Sequence, residues 1–391
     1  MSISEHSNLN DVKFERHLQI KLNQQKDKNL IRKRIGFCFS DKNCIDFSSN
    51  DYLGLSQLST LKNIEIDKFG SGGSHLISGH HQIHSKLESA VAKFLQRESA
   101  LTFSTGYMAN LAILQTLAKK NDLIISDKFN HVSIVDGIKL SGAESVRYPH
   151  LDLENLEKRL QRGLKYSNAS KWVITDSLFS MDGDLAPLKE ISILCKKYKA
   201  NLIVDDAHGF GVLGKNGRGV CEAFNLDEND CPVLMSTLGK ALGGYGAVVS
   251  GKKILIDYLI QFARPYIYTT ACPPLIANLN LENLERLRNG DELRGKLKEN
   301  ISFFRNSCHV SEISLNESKS PIQIIEFDSV NNMLDANIKL KEKGFVVGSI
   351  RPPTAKSPRF RITITANHSK QDIKRLVASL RIILNNFKAK K

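Results

Sequence analysis

Between Leu101 and Ser250 short apolar runs alternate with stretches in which apolar residues recur every three or four positions: "ALTFS", "YMANLAILQTLAKK", "DLIISD", "HVSIVDGIKL", "SVRYP", "LENLEKRL", "KWVITDS", "LKEISILCKKY", "NLIVDDAH", "PVLMST" and "GAVVSG". Short runs rich in Val and Ile read as buried strands, and the stretches between them as helices. Their alternation predicts an α/β domain built on a mostly parallel sheet with helices on both faces. Sites in such sheets gather at the carboxyl ends of strands. The loops after Ser104, Asp176, Asp205 and Thr237 are therefore expected on one rim. After about Asn300 the pattern changes to "PIQIIEF", "NNMLDANIKLKEKG", "FVVGSI", "RFRITITA" and a last helix "KQDIKRLVASLRIIL", as in a small α+β domain. The expected division is an N-terminal helix and lead-in over residues 1–45, a large α/β domain over 46–285 and a small C-terminal α+β domain over 286–391.

Composition narrows the class. A chain of 391 residues, 41% hydrophobic and 25% charged, buries a large core. It holds no run of about eighteen apolar residues, and the segment "MSISEHSNLNDVKFERH" lacks the apolar stretch of a signal peptide. A cytoplasmic protein with no membrane partner is expected. Seven cysteines, at 38, 44, 195, 221, 231, 272 and 308, include no C-x-x-C pair and read as buried free thiols. The formal charge of +14 admits a polyanionic partner, but the lysines and arginines are spread along the chain, with local density only at "IRKR" and "NNFKAKK". A lysine-rich surface is expected, not a nucleic-acid interface.

The candidate chemistry sits at strand ends. "NLIVDDAHGFG" ends an apolar strand in Asp205 and Asp206, with His208 following and glycines that permit a sharp turn. "STLGKALGG" places Lys240 among small residues directly after the run "PVLM". A strand-end lysine and a strand-end acid are the pair needed to hold pyridoxal phosphate: the amine forms a Schiff base and the carboxylate keeps the pyridine nitrogen protonated. "FSTGYMAN" has the form of an anion cradle at a helix start, and Ser236 and Thr237 can bring hydroxyls to the same phosphate. His131 of "SDKFNHVS" suits either a helix cap or a ring stacked on a flat ligand.

Competing motifs fail on spacing. "GSGGSH" has His75 where the last glycine of G-x-G-x-x-G belongs, and "LGKA" lacks the flanking residues of a P-loop. His80, His81 and His84 lack the glutamate of H-E-x-x-H and read as solvated residues at a helix start, so no metal site is expected.

From about Asp46 onward the blocks "DFSSNDYLGLS", "GSGGSHLISGHHQIHSKLE", "FSTGYMAN", "DKFNHVSIVDG", "FSMDGDLAPL", "VDDAHGFGVLG", "STLGKALGG", "YTTACPP" and "IRPPTAKSPRFRITIT" closely resemble the α-oxoamine synthases, pyridoxal-phosphate-dependent transferases of fold type I. "SSNDYLGLS", "GSGGS" and "IRPPT" are most similar to the branch that condenses L-alanine with a pimeloyl thioester in biotin synthesis; sister enzymes use glycine or serine with other acyl groups. The resemblance implies an acyltransferase, a homodimer with shared active sites, and a pimeloyl group carried on coenzyme A or acyl carrier protein. It implies that Lys240 carries the cofactor, Asp205 pairs with the pyridine nitrogen, His208 and Ser180 bond its phenolic oxygen and His131 stacks on the ring. Gly106, Tyr107 and Thr237 are expected at the phosphate, with Thr269 and Thr270 reaching that of the partner subunit. Arg351 is expected to grip the amino-acid carboxylate, with Asn50 in the same pocket and Arg32 at the acyl substrate. His75 stands where many members have arginine or glycine.

Overall fold

A computed structural model describes residues 5–32, 34, 44–57, 69–163 and 169–388; Cys38 and the end of the basic tail lie outside them. The strands are β1 (Ile45–Phe47), β2 (Ser99–Phe103), β3 (Leu123–Asp127), β4 (Glu144–Tyr148), β5 (Lys171–Asp176), β6 (Asn201–Asp205), β7 (Val233–Thr237), β8 (Ala247–Gly251), β9 (Ile322–Glu326), β10 (Phe345–Ile350) and β11 (Arg359–Thr363). A seven-stranded sheet runs in the order β2-β8-β7-β6-β5-β3-β4. Its five central and edge strands from β7 to β4 are parallel, and β8 is antiparallel to both its neighbours.

Alternation along each strand explains the two cores. Leu123, Ile125, Val173, Leu202, Val204 and Leu234 join one apolar cluster. Ile124, Ile174, Ile203, Val233 and Met235 join another on the opposite face, with Ala109, Ile113 and Leu114 of the helix Gly106–Leu117. A strand covered on both faces has no polar side to show, which is why its sequence is a continuous apolar run. Truncating one of the buried leucines or isoleucines among them to alanine would cost about 2–5 kcal/mol.

The second sheet, β1-β10-β11-β9, belongs to the C-terminal part. β1 pairs parallel with β10, Ile45 opposite Phe345, so Asp46 and Phe47, which the expected division gives to the large domain, are paired into the small sheet. Three residues carry too little periodicity to announce that pairing. The N-terminal helix Glu5–Asp27 leads to a segment tied to the small sheet's surroundings: Asn29 Nδ2 donates to Asn331 Oδ1 at 3.0 Å, and the Arg351 guanidinium donates to the Ile31 carbonyl. No helix among the described residues is long and apolar enough to cross a membrane. Of the thiols, Cys195, Cys221, Cys231, Cys272 and Cys308 are buried as expected, whereas Cys44 is exposed.

Candidate active site

The parallel register brings the ends of three strands together: Asp176 lies opposite Asp205, and Asp205 opposite Met235, with Thr237 closing β7. Beyond Thr237 the chain turns back tightly. Leu238 N–H donates to Gly246 O at 2.8 Å, Gly244 N–H to Leu238 O at 2.9 Å and Gly243 N–H to Lys240 O at 2.8 Å. The glycines are required because other segments press on this turn. Gly243 has φ +70°, and a Cβ there would lie 2.2 Å from the Ser56 nitrogen; one at Gly244 would lie 1.9 Å from Asn280 Oδ1. The turn holds Lys240 half-buried, with its amine against His208.

Lys240 Nζ lies 2.9 Å from His208 Nε2. With the amine donating, His208 Nδ1–H donates to the Tyr52 oxygen at 2.6 Å, and the Tyr52 hydroxyl reaches Asn50 Oδ1 at 3.4 Å. Burial, then the charges of Lys240, Arg361 and His131, holds His208 well below the usual histidine range, so the ring is neutral. Lys240 is pulled down to about 8, by burial first and with help from Arg361, against the upward pull of Asp205 and Asp176. An amine lowered this far is neutral in a minority of molecules near physiological pH, far more than an ordinary lysine.

Asp205 is 5% exposed and doubly held: Ala207 N–H donates to Oδ1 at 2.9 Å and Asn110 Nδ2 to Oδ2 at 2.7 Å. Asn110 Nδ2 also donates to Ser133 Oγ at 2.9 Å, and the Ser133 hydroxyl lies 2.7 Å from His131 Nδ1. His131 accepts from Ser133 N–H as an N-cap, yet its residue remains exposed, so both roles left open by the sequence are compatible: the edge caps the helix Val132–Ser141 and a face is free for a ring. Burial and then the Asp205 charge push Asp176 well above the carboxylate range, and its Oδ1 has no hydrogen-bond partner among the described residues. Asp206, by contrast, is structural. It accepts from Ser177 Oγ at 2.6 Å and Val220 N–H at 2.9 Å, and a Cβ at Gly219 would sit 1.9 Å from its Oδ2.

The loop expected to cradle an anion forms a capped helix start. Thr105 caps the helix Gly106–Leu117 by accepting from Met108 N–H at 3.1 Å, leaving the first amides of the helix turned to the loop. A Cβ at Gly106 would lie 2.9 Å from Thr237 Cγ2, so only glycine keeps the space between helix start and β7 open. Thr237 donates to Ala207 O at 3.0 Å, a proton that rotation of the hydroxyl would redirect to a phosphate, while Ser236 Oγ is buried with no partner among the described residues. Tyr107 turns its hydroxyl away to Asp136 at 2.6 Å, so its contribution is its amide. Thr269 is half-buried and Thr270 exposed.

Arg361 was not expected at this centre. It is 6% exposed, and it donates from Nε to Ser180 O at 2.6 Å and from Nη1 to Asn50 Oδ1 at 3.0 Å and Thr363 Oγ1 at 3.1 Å. Its charge is felt by Lys240, His208 and Tyr52. Arg351, expected to hold the amino-acid carboxylate, is instead anchored to the Ile31 carbonyl, one residue from the exposed Arg32. The reason is register. Arg361 sits within β11, paired with Gly348, whereas Arg351 lies just past the end of β10. Tyr52 and Asn110 also escaped the sequence reading, and Asp176 was placed on the rim without a role. Tyr52 stands in "SSNDYLGLS" and Arg361 in "RFRITIT", so both blocks were visible although their pointing directions were not. The orphaned buried atoms, the cradle that a Cβ would fill and the amine–imidazole–carboxylate set together fit pyridoxal phosphate.

Fold and site together define an enzyme of the pyridoxal-phosphate-dependent fold type I. Residues 42–380 match the family described as aminotransferase class I and II. The chain is 45% identical over 349 residues to 8-amino-7-oxononanoate synthase of Hydrogenovibrio crunogenus, covering 88% of each chain. Among solved structures it is similar to 8-amino-7-oxononanoate synthase of Francisella tularensis, with 37% identity, a TM-score of 0.77 and coverage of 89% of this chain and all (100%) of that one. It is also similar to serine palmitoyltransferase of S. paucimobilis, solved with PLP bound, with 30% identity, a TM-score of 0.84 and coverage of 88% of each. The chain belongs to the class I and II aminotransferase family and, within it, to the 8-amino-7-oxononanoate synthases.

Proposed function

We propose that the protein is an acyltransferase of biotin synthesis that uses pyridoxal phosphate to join L-alanine to a pimeloyl thioester, releasing the thiol and carbon dioxide and giving 8-amino-7-oxononanoate. The observation that carries the chemistry is the Lys240 amine held 2.9 Å from a neutral His208 on the rim where Asp205 ends β6. The 45% identity supports the choice of substrates. When bound, pyridoxal phosphate supplies an electron sink for the charge that develops at the alanine Cα.

The chain's own residues do the rest. Lys240 is the point of attachment and the base that takes the Cα proton onto Nζ, for which a pKa near 8 is suited. His208 accepts the Lys240 N–H and keeps the amine aimed. Asp205, fixed by Asn110 and Ala207, holds a proton on the ring nitrogen. His131 covers one ring face, and Ser180 and His208 serve the phenolic oxygen. The Gly106 and Tyr107 amides and the Thr237 hydroxyl take the phosphate. Arg361, with Asn50 beside it, takes the alanine carboxylate, since a buried planar fork suits two oxygens. Arg351 and Arg32, joined through Ile31, serve the acyl substrate, whose carrier is coenzyme A or acyl carrier protein.

Two copies share their sites, with Thr269 and Thr270 of one reaching the phosphate of the other. In support, Phe69, Ile77 and Tyr268 are exposed apolar residues around the segment where Ala271 N–H donates to Gly73 O. The test is incubation of the purified enzyme with L-alanine, glycine or serine and pimeloyl thioesters, with products weighed. Alanine with a pimeloyl thioester should give the nine-carbon amino-oxo acid, and Lys240→Ala should abolish it and prevent borohydride from fixing the cofactor to the chain. Normal turnover in that variant, or product from glycine alone, would overturn the assignment.

A further inference from the structure

One group of ligating side chains takes no part in this chemistry. The turn ending at Gly79 and the start of the helix Gln82–Leu95 bring His75, His80 and His84 together, each offering a ring nitrogen within 4.8 Å of the other two. His75 Nδ1 and His80 Nδ1 face each other at 3.0 Å. Metal–nitrogen bonds of about 2.0–2.1 Å place the ligand atoms of a tetrahedral site about 3.3 Å apart, so the pair already has nearly the required separation. The His84 ring stands edge-on to His75 with centroids 5.1 Å apart, and Tyr266 braces the far side of His75, stacked at 4.9 Å.

The protonation pattern suits ligation. His75 and His84 are buried and His80 is exposed, and each neutral imidazole offers one ring lone pair to a metal. His84 Nε2 lies 2.7 Å from Cys272 O, which fixes Nε2 as the donor and leaves the lone pair on Nδ1, the outer-sphere arrangement common to ligating histidines. That lone pair accepts the His81 N–H at 2.9 Å, a cap it exchanges for the metal. No carboxylate belongs to the group, so hard oxygen-seeking cations are disfavoured. The sequence grouped His80 and His84 with His81; the fold instead recruits His75 and leaves the His81 ring toward the Ser71 carbonyl at 3.5 Å.

We propose that His75, His80 and His84 bind a divalent transition-metal ion of the imidazole-preferring class, zinc above all, with water completing its shell. The exposed His80 provides the entry. The metal clamps the 71–84 segment to residues 271 and 272, which are already joined to it through Ser71 Oγ to Ala271 O at 2.9 Å and His84 to Cys272.

The test uses cofactor-loaded protein freed of metal with a chelator and titrated with Zn²⁺ by calorimetry, with Co²⁺ absorption reporting the ligand set. One saturable equivalent per chain is expected, weakened at least about tenfold by His75→Gln or His80→Gln, abolished by the double variant and retained by His81→Gln. Because His80 is exposed, its variant does not put folding at stake. The proposal is overturned if the wild type binds no Zn²⁺, if binding survives the double variant, as it would for uptake by the cofactor or by other histidines, or if His81→Gln loses as much as His80→Gln.

Discussion

Arg361→Gln separates the two arginines between which the carboxylate assignment turns. In the native site the Arg361 guanidinium is buried and spends donors on Ser180 O and Asn50 Oδ1, so its position is set before substrate arrives. A hydrogen bond to a charged group is worth about 1.5–3 kcal/mol, and a fork engages a carboxylate twice. Glutamine retains one neutral donor, which leaves a loss of about 3–4 kcal/mol. At about 1.4 kcal/mol per decade, the KM for alanine should rise by about two to three orders of magnitude while that for the pimeloyl thioester stays within about threefold. Arg351→Ala should show the reverse selectivity. The assay is steady-state kinetics with each substrate varied against saturating partner, after confirming that the variant binds cofactor and melts cooperatively, since Ser180 O and Asn50 Oδ1 lose a donor at a cost of about 1–3 kcal/mol. If alanine KM moved less than about fivefold in Arg361→Gln and rose in Arg351→Ala, the reasoning from burial and register would be wrong.

Asp205→Asn should lower kcat/KM for alanine by at least about a thousandfold, or about 4 kcal/mol of transition-state stabilisation; a loss under tenfold would remove Asp205 from its role. In cofactor-free protein the rate of covalent capture of pyridoxal phosphate should rise with pH and level off just above about 8, because only neutral Lys240 attacks; a rate still climbing at pH 10 would contradict the depressed amine. His150 bridges Asp127 at 2.9 Å and Asp184 at 2.7 Å. Burial alone would lower its pKa, but hydrogen bonds and charge from the two carboxylates carry it up to about 9. Its raised folded-state pKa contributes stability that is complete below the unfolded value of about 6.5 and is lost as pH rises through about 9. Chemical denaturation should therefore show the wild type losing more stability between pH 6 and 9.5 than His150→Gln does, and parallel losses would rule the bridge out as the cause.

The parallel sheet was legible because its strands are covered on both faces and so appear as unbroken apolar runs; "NLIVDD" and "PVLMST" needed no tertiary information. Lys240 and Asp205 were legible for the same reason, since Asp205 closes one such run and Lys240 lies three residues past the end of another. Arg361 and Arg351 were not separable in this way. Both fall in "IRPPTAKSPRFRITIT", and only the antiparallel pairing of Gly348 with Arg361 decides which one lies against Asn50 and the Ser180 loop. Arg359, two residues earlier on the same face of β11, is absorbed by Asp182 at 2.6 Å and Glu326 at 2.9 Å. His75 was hidden differently. Its partners His80 and His84 lie on the far side of a turn whose geometry depends on the contact of Gly79 with Gly73 and Ala271, which local spacing does not encode.

The hydrogen-bonded line from Lys240 through His208, Tyr52 and Asn50 to Arg361 joins four segments remote in sequence, and it carries an electrostatic consequence for the order of events. Before substrate binds, Arg361 is one of the charges that keep the Lys240 amine acidic, which favours the neutral nucleophile needed to take up the cofactor. A carboxylate placed on Arg361 would offset that charge. The amine then loses a repulsive neighbour, while Asp205 and Asp176 continue to favour its protonated form. Binding of alanine at Arg361, as proposed, would thus make Lys240 a stronger base at the stage when it is asked to remove a proton. On the proposed role of Arg361, the arginine that takes the substrate carboxylate would also tune the base that acts on it.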